Sequence, residues 1–166
     1  MKEYAESLID EHVGSGIVLD TGLLLLLIIG NARRELVGTF KRLNSFAPED
    51  YDTLTTIVNR FQTIATTPNI LTEVSNLADS LTDKYKEDYL NAFAGEISLL
   101  DEKYVPTKAV LSSEAFSIFG LSDAVIAEIA NRDLLVMTTD GHLYNYLLTI
   151  GLPVLNFNHI RTRYWT

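Results

Sequence analysis

The chain of 166 residues contains no cysteine. That absence excludes a disulfide framework, a thiolate metal site and a cysteine nucleophile. A long apolar run is also missing. The most hydrophobic stretch, residues 23–29, falls far short of the roughly 20 residues that span a bilayer. The opening segment, MKEYAESLIDEHVGSG, has no basic region followed by an apolar one, so no signal peptide is expected. A soluble, cytoplasmic protein with no membrane partner is the expectation. Positive charge is scarce too: 13 basic residues against 22 acidic give a formal net charge of -9. Such a field does not attract a phosphate backbone and argues against a passive nucleic-acid binder. It argues less against a nuclease, in which divalent metal neutralises some of the carboxylates. There is no internal repeat, low-complexity tract or linker. The length favours one domain over residues 1–166, long enough to bury a core without staples. A content of 47% hydrophobic and 21% charged residues is that of an ordinary globular chain.

What is present reads as strands alternating with helices. GIVLD, residues 16–20, is a short aliphatic run after glycines, expected as a buried strand closed by Asp20. The following LLLLLIIG is apolar all round and is expected as a buried helix, interrupted at Gly30 and Asn31. ARRELVGTFKRLNSF spaces Leu36, Val37, Phe40 and Leu43 helically and carries Arg33, Arg34, Lys41 and Arg42. APEDYDTLTTIVNRFQ is expected as a helix with acids in its first turn. TIATT is a strand candidate. TPNILTEVSNLAD follows as a helix started by Pro68, with Glu73 about one turn in. Residues 82–100 form a further amphipathic helix, and KAVL, residues 108–111, is a strand candidate. LSDAVIAEIANRD is a helix with Asp123 in its first turn and Ser122 as its N-cap. LLVMTTD is a strand ending at Asp140, GHLYNYLLTIG a helix closed by Gly151, and LPVLNF a last strand. This alternation predicts an α/β three-layer sandwich, a central parallel sheet flanked by helices.

In such sheets ligands bind beyond the carboxyl ends of the strands. Asp20 and Asp140 lie there; Glu73 and Asp123 lie in early helical turns facing the same edge. Four carboxylates on one edge repel each other unless some stay protonated or a cation sits among them. Hard oxygen ligands favour Mg²⁺ or Mn²⁺, and two such ions can clamp a phosphodiester.

GIVLDTGLLLLL, TPNILTEVSNLA, GLSDAVIAEIA and LLVMTTDGHLYNYLLTIGLPVLNF occur in that order, and they resemble the four acidic motifs of PIN-domain ribonucleases. The resemblance runs over residues 16–157, with GLSDA and TTD its most specific parts. It implies a PIN-like fold and a metal-dependent endoribonuclease that hydrolyses RNA to a 5′-phosphate and a 3′-hydroxyl. Asp20, Glu73, Asp123 and Asp140 would be the metal ligands and catalytic acids. Thr138 would place a hydroxyl near the last acid to orient water or phosphate, and Thr21 would support the first. Small members of the family are toxins paired with an antitoxin protein, and homodimers are common among them. The chain departs from those toxins in the stretch between Asp20 and Glu73, which is longer than theirs.

Each acid also has an ordinary structural reading. Asp20 would cap a helix, Glu73 would be a solvated helix residue, Asp123 would complement a helix dipole and Asp140 would sit in a turn. The alternative function is a catalytically silent PIN-like module that binds RNA or a protein partner. His12, His142 and His159 lack metal-ligand spacing and read as structural. The group Arg33, Arg34, Lys41 and Arg42 suits phosphate or a solvated face. Arg161 and Arg163 with Tyr164 and Trp165 suit RNA stacking, an oligomer contact or a cap on the core. Residues 23–29 are core or part of a dimer face. A haloacid-type phosphatase is set aside, because its second aspartate would fall at Gly22.

Overall fold

A computed structural model of the chain describes residues 2–130 and 133–161. Arg163, Tyr164 and Trp165, considered above for RNA stacking, lie outside the described residues. The strands β1 (Ile17–Leu19), β2 (Ile64–Thr66), β3 (Asp101–Glu102), β4 (Leu135–Thr138) and β5 (Val154–Asn156) form one sheet in the order β3-β2-β1-β4-β5. Every pairing is parallel, and Leu19 sits opposite Met137 where β1 meets β4. With helices covering it, this is the three-layer α/β sandwich that the alternation predicted. Strands buried on both faces read as unbroken aliphatic runs, and β1 and β4 are fully buried.

The helices are α1 (Lys2–His12), α2 (Thr21–Ala32), α3 (Pro48–Val58), α4 (Pro68–Ala78), α5 (Asp83–Ile97), α6 (Thr107–Val110), α7 (Glu114–Phe119), α8 (Leu121–Ile129), α9 (Gly141–Thr149) and α10 (Phe157–Arg161). The most buried of them is α2, whose residues from Leu23 to Gly30 are all inaccessible. It packs against α3, α4 and α5. Residues 23–29 are therefore core of this chain, and the dimer-face reading of that run is corrected. Nor do Gly30 and Asn31 interrupt the helix. A Cβ on Gly30 would stand 2.1 Å from Cδ2 and 2.6 Å from Cγ of Tyr51, so the glycine admits the α3 tyrosine against α2.

Several other expectations are corrected. Residues 33–46 do not form a helix. They make two 3₁₀ turns, Arg34–Leu36 and Lys41–Leu43, separated by Gly38 at φ +86°. The apolar set Leu36, Val37, Phe40 and Leu43 is buried all the same. KAVL lies in the helical turn α6, and the strand of that region is the charged pair Asp101–Glu102. The polar opening segment is the helix α1, anchored by buried Ile9 and His12. Ser122 lies inside α8, and Gly120 at φ +86° occupies the cap position.

The Gly30 contact sets two effects against each other. Alanine gains about 1 kcal/mol over glycine in a helix interior, whereas forcing atoms into a filled site costs about 1–3 kcal/mol. The blocking atoms belong to the root of a ring, so the second effect wins. Gly30→Ala is expected to lower the urea midpoint, and a raised midpoint would contradict this packing.

Candidate active site

The sheet order places the site. From β1 the chain moves to β2 and β3 on one side, then returns to β4 on the other. The crevice beyond the carboxyl ends of β1 and β4 is therefore the switch point, where open parallel sheets bind ligands. Asp20 follows β1, and Thr138 ends β4 with Asp140 two residues on.

Asp20 is only 7% exposed. Its Oδ1 accepts from the Leu23 N–H at 2.8 Å, capping α2. Its Oδ2 accepts from the Thr138 hydroxyl at 2.5 Å and the Thr139 N–H at 2.9 Å. Burial pushes its pKa up, the three hydrogen bonds oppose the rise, and the charge of Asp140 adds to it. The fully buried Thr138 hydroxyl also accepts from the Asp140 N–H at 2.9 Å, so one side chain ties the first acid to the last. A hydroxyl has a single proton to donate. Thr138 gives it to Asp20, so as placed this hydroxyl positions the two acids.

Asp140 caps α9, its Oδ1 accepting from the His142 N–H at 2.7 Å and the Leu143 N–H at 3.1 Å. Glu73 projects from α4, and its Oε2 accepts from the Thr21 hydroxyl at 3.0 Å. Asp123, on the first turn of α8, is partly buried. Its pKa is pushed up to about 6, first by burial, then by the charges of Asp20, Asp140 and Glu73. The structural reading of Asp20 as a helix cap holds, Asp140 caps α9 where a turn was expected, and both side chains still line the cleft.

The four acids share one cleft of about 310 Å³, walled on its apolar side by Phe119, Leu121 and Leu143. Sequence reasoning missed that wall, since Phe119 has no motif to mark it. It also missed Asn158, whose amide donates to the Thr139 carbonyl at 2.9 Å and steadies the backbone that serves Asp20. None of the three histidines lines this cleft. His12 is buried and its Nδ1 donates to the Leu8 carbonyl at 2.8 Å. His142 is exposed, and His159 meets Tyr144 edge-on at 5.5 Å.

Three of the arginines are engaged away from the cleft. Arg33 pairs with Asp88 and Arg34 with Asp52. Arg161 donates to the Ser45 carbonyl and to buried Asp50, and lies over Phe46, which makes it a cap on the core.

Donor chemistry at the cleft suits a hard divalent cation. Every acid presents carboxylate oxygen, and the upward shift of Asp123, due first to burial, is added to by three acids whose charge no basic lining residue offsets. By lone-pair count, Asp20 Oδ1 retains one acceptor position, and Asp140 Oδ2 takes no hydrogen bond from the described residues. The spacing is that of an open cluster: among the described residues, no three acidic or histidine side chains stand close enough to hold one ion as placed.

No protein-family model matches the chain, and neither a curated protein nor a solved structure shows significant similarity to it.

The raised Asp123 pKa has a consequence for stability. A carboxyl whose folded pKa lies above its unfolded value binds its proton more tightly in the folded state, so protonation stabilises the fold. The metal-free protein is expected to gain stability from this group as pH falls from about 6 towards 3.8. Asp123→Asn removes the repulsion at every pH. In melting curves it should be more stable than the wild type at pH 7, with the gap closing by pH 4. A variant less stable at pH 7, or a gap independent of pH, would contradict the assignment.

Proposed function

We propose that the chain is a metal-dependent endoribonuclease that hydrolyses RNA phosphodiester bonds with Mg²⁺ or Mn²⁺ held by Asp20, Glu73, Asp123 and Asp140. One observation carries the reading: carboxylates from four separate places in the sequence meet in a single cleft at the switch point of the sheet. The ordered resemblance of the same motifs to PIN-domain ribonucleases supports it. Resemblance to the toxins among them supplies the wider setting, a cytoplasmic enzyme, with an antitoxin protein as partner and a homodimer as assembly. No described helix is long and apolar enough to cross a membrane.

The cation, when bound, supplies Lewis-acid polarisation of the phosphodiester and a more acidic water. The chain's own residues do the rest. Thr138 and the Thr139 N–H hold the Asp20 carboxylate in one orientation. The hydroxyl of Thr21 steadies Glu73. Asp123, whose pKa is raised first by burial and then by the other three acids, is the carboxyl that would have to release its proton to hold a cation, and positive charge in the cleft would favour that release. Phe119 and Leu143 contribute apolar surface to the lining of the same cleft. The second reading, a silent module that binds RNA or protein, is favoured by the open spacing of the acids.

Two measurements separate these readings. Mn²⁺ at a hundredfold excess over its Kd should stabilise the fold by about 2.7 kcal/mol, a rise in Tm of about 5–10 °C for a chain of this length. The rise should shrink below pH 6, because a ligand carboxyl must lose its proton. In a cleavage assay on total RNA, metal should stimulate the wild type and Asp20→Asn should be inactive. Thr138→Val should lose about 10- to 100-fold, the usual cost of removing a group that orients a ligand. A wild type with neither a thermal shift nor cleavage would favour the silent module.

A further inference from the structure

The acid cleft does not end at Glu73. A second hollow of about 330 Å³ adjoins it, and Glu73 and Ser122 line both. Its other walls are Pro68, Asn69, Thr72 and Asn76. The stripe follows from helix geometry: positions 69, 72, 73 and 76 stand at i, i+3, i+4 and i+7 and share one face of α4. Ile70, Val74 and Ala78 bury the opposite face. The stripe is also rigid. Thr67 is fully buried and caps the helix through the Ile70 N–H at 3.3 Å, and Pro68 fixes its first residue. Neither Asn69 nor Asn76 has a side-chain hydrogen bond to another described residue, so both amides keep their donors and acceptors for a ligand.

The hollow offers polar groups but no cation, and Glu73 is its one charged lining residue among the described residues. No lysine or arginine is among the described residues that line it or the acid cleft, and the chain carries a net charge of -9. A nucleic-acid strand here cannot be gripped through its phosphates by side-chain cations, the usual source of affinity. Free amides and a hydroxyl instead match the edges of an unpaired base. A peptide would be the competing occupant, but among the described residues the hollow has no apolar pocket to anchor one beyond Pro68.

We propose that Asn69, Thr72 and Asn76 form a base-reading subsite, which takes a nucleobase of the RNA strand leaving the acid cleft and sets the sequence preference of the site. This rests on the endoribonuclease reading above for the strand's presence, not for the subsite's chemistry. The two amides would hydrogen-bond the base edge, with Glu73 marking the boundary between the subsite and the site of hydrolysis. Adenine is the expected favourite, because an amide pairs two-fold with its donor and acceptor.

The test is binding of labelled single-stranded oligo-A, oligo-C and oligo-U to the full chain by fluorescence anisotropy, with Ca²⁺ as the supporting cation. Wild type should prefer one homopolymer over the weakest by about tenfold, the scale of one good amide–base pair. In Asn69→Ala/Asn76→Ala the spread should collapse to under about threefold, with the Mn²⁺ thermal shift unchanged as proof of folding. Affinity should fall with monovalent salt on a log–log slope shallower than about -1, as for fewer than two phosphate contacts. Loss of discrimination in the variant supports the subsite whichever base leads. Equal binding by the wild type, discrimination that survives in the variant, a steep salt slope, or no RNA bound would each overturn it. The two readings fail separately: cleavage without base discrimination removes the subsite alone, and discrimination without cleavage removes the nuclease alone.

Discussion

The carboxylate of Asp20 accepts three hydrogen bonds, two from backbone N–H groups and one from a hydroxyl. It caps α2, accepts the hydroxyl of the last β4 residue, and accepts the N–H of the residue after that. Hydrogen bonds to a charged group contribute about 1.5–3 kcal/mol each. Even so, burial outweighs all three, and the pKa of Asp20 is raised. The fold holds an acid where solvation alone would not leave it charged. That constraint governs the neighbourhood. It fixes where α2 begins, it locks the β1 end to the β4 end, and through Thr138 it sets the backbone of Asp140. The field of Asp20 then falls on Asp123, which takes no side-chain hydrogen bond from the described residues to offset it. Electrostatic strain of this kind clusters at functional sites. Here it is supported by a helix buried all round, α2, and by two aliphatic strands.

Much of this was legible in the sequence where burial is complete. IVL before Asp20 and LVMT before Thr139 have no polar alternation, because parallel strands between helices have no wet face. The capping role of Asp20 follows from residue type and position. Elements with sparse or ambiguous patterning were lost. Among the described side chains of α1, Ile9 and His12 alone are buried, too few to mark a helix. At residues 33–46 the helical spacing of Leu36, Val37, Phe40 and Leu43 was real, yet Gly38 at φ +86° breaks the run into two turns. A Cβ there would stand 3.0 Å from the Phe46 carbonyl oxygen. Strand β3 is two charged residues at the sheet edge, and nothing in Asp101–Glu102 resembles a strand.

The acids themselves divide along the same line. Asp20 and Asp140 follow from strand ends. Glu73 and Asp123 meet them only because β1 stands between β2 and β4 and because α4 packs on α8. Strand order is a property of long-range pairing, which local periodicity does not carry. The sheet order is what brings the four into one cleft. Phe119, Asn158 and the amide stripe of α4 were silent in the sequence. Each is an ordinary residue until the sheet order sets it beside the acids.

The central claim is that these carboxylates act as one electrostatic unit awaiting positive charge. Its most direct test is a ¹³C NMR titration of the Asp123 carboxyl, with and without Mg²⁺. The account predicts a midpoint near pH 6 in the metal-free protein and a clear fall when Mg²⁺ is present. An ordinary carboxylate midpoint of about 4, unmoved by Mg²⁺, would contradict it.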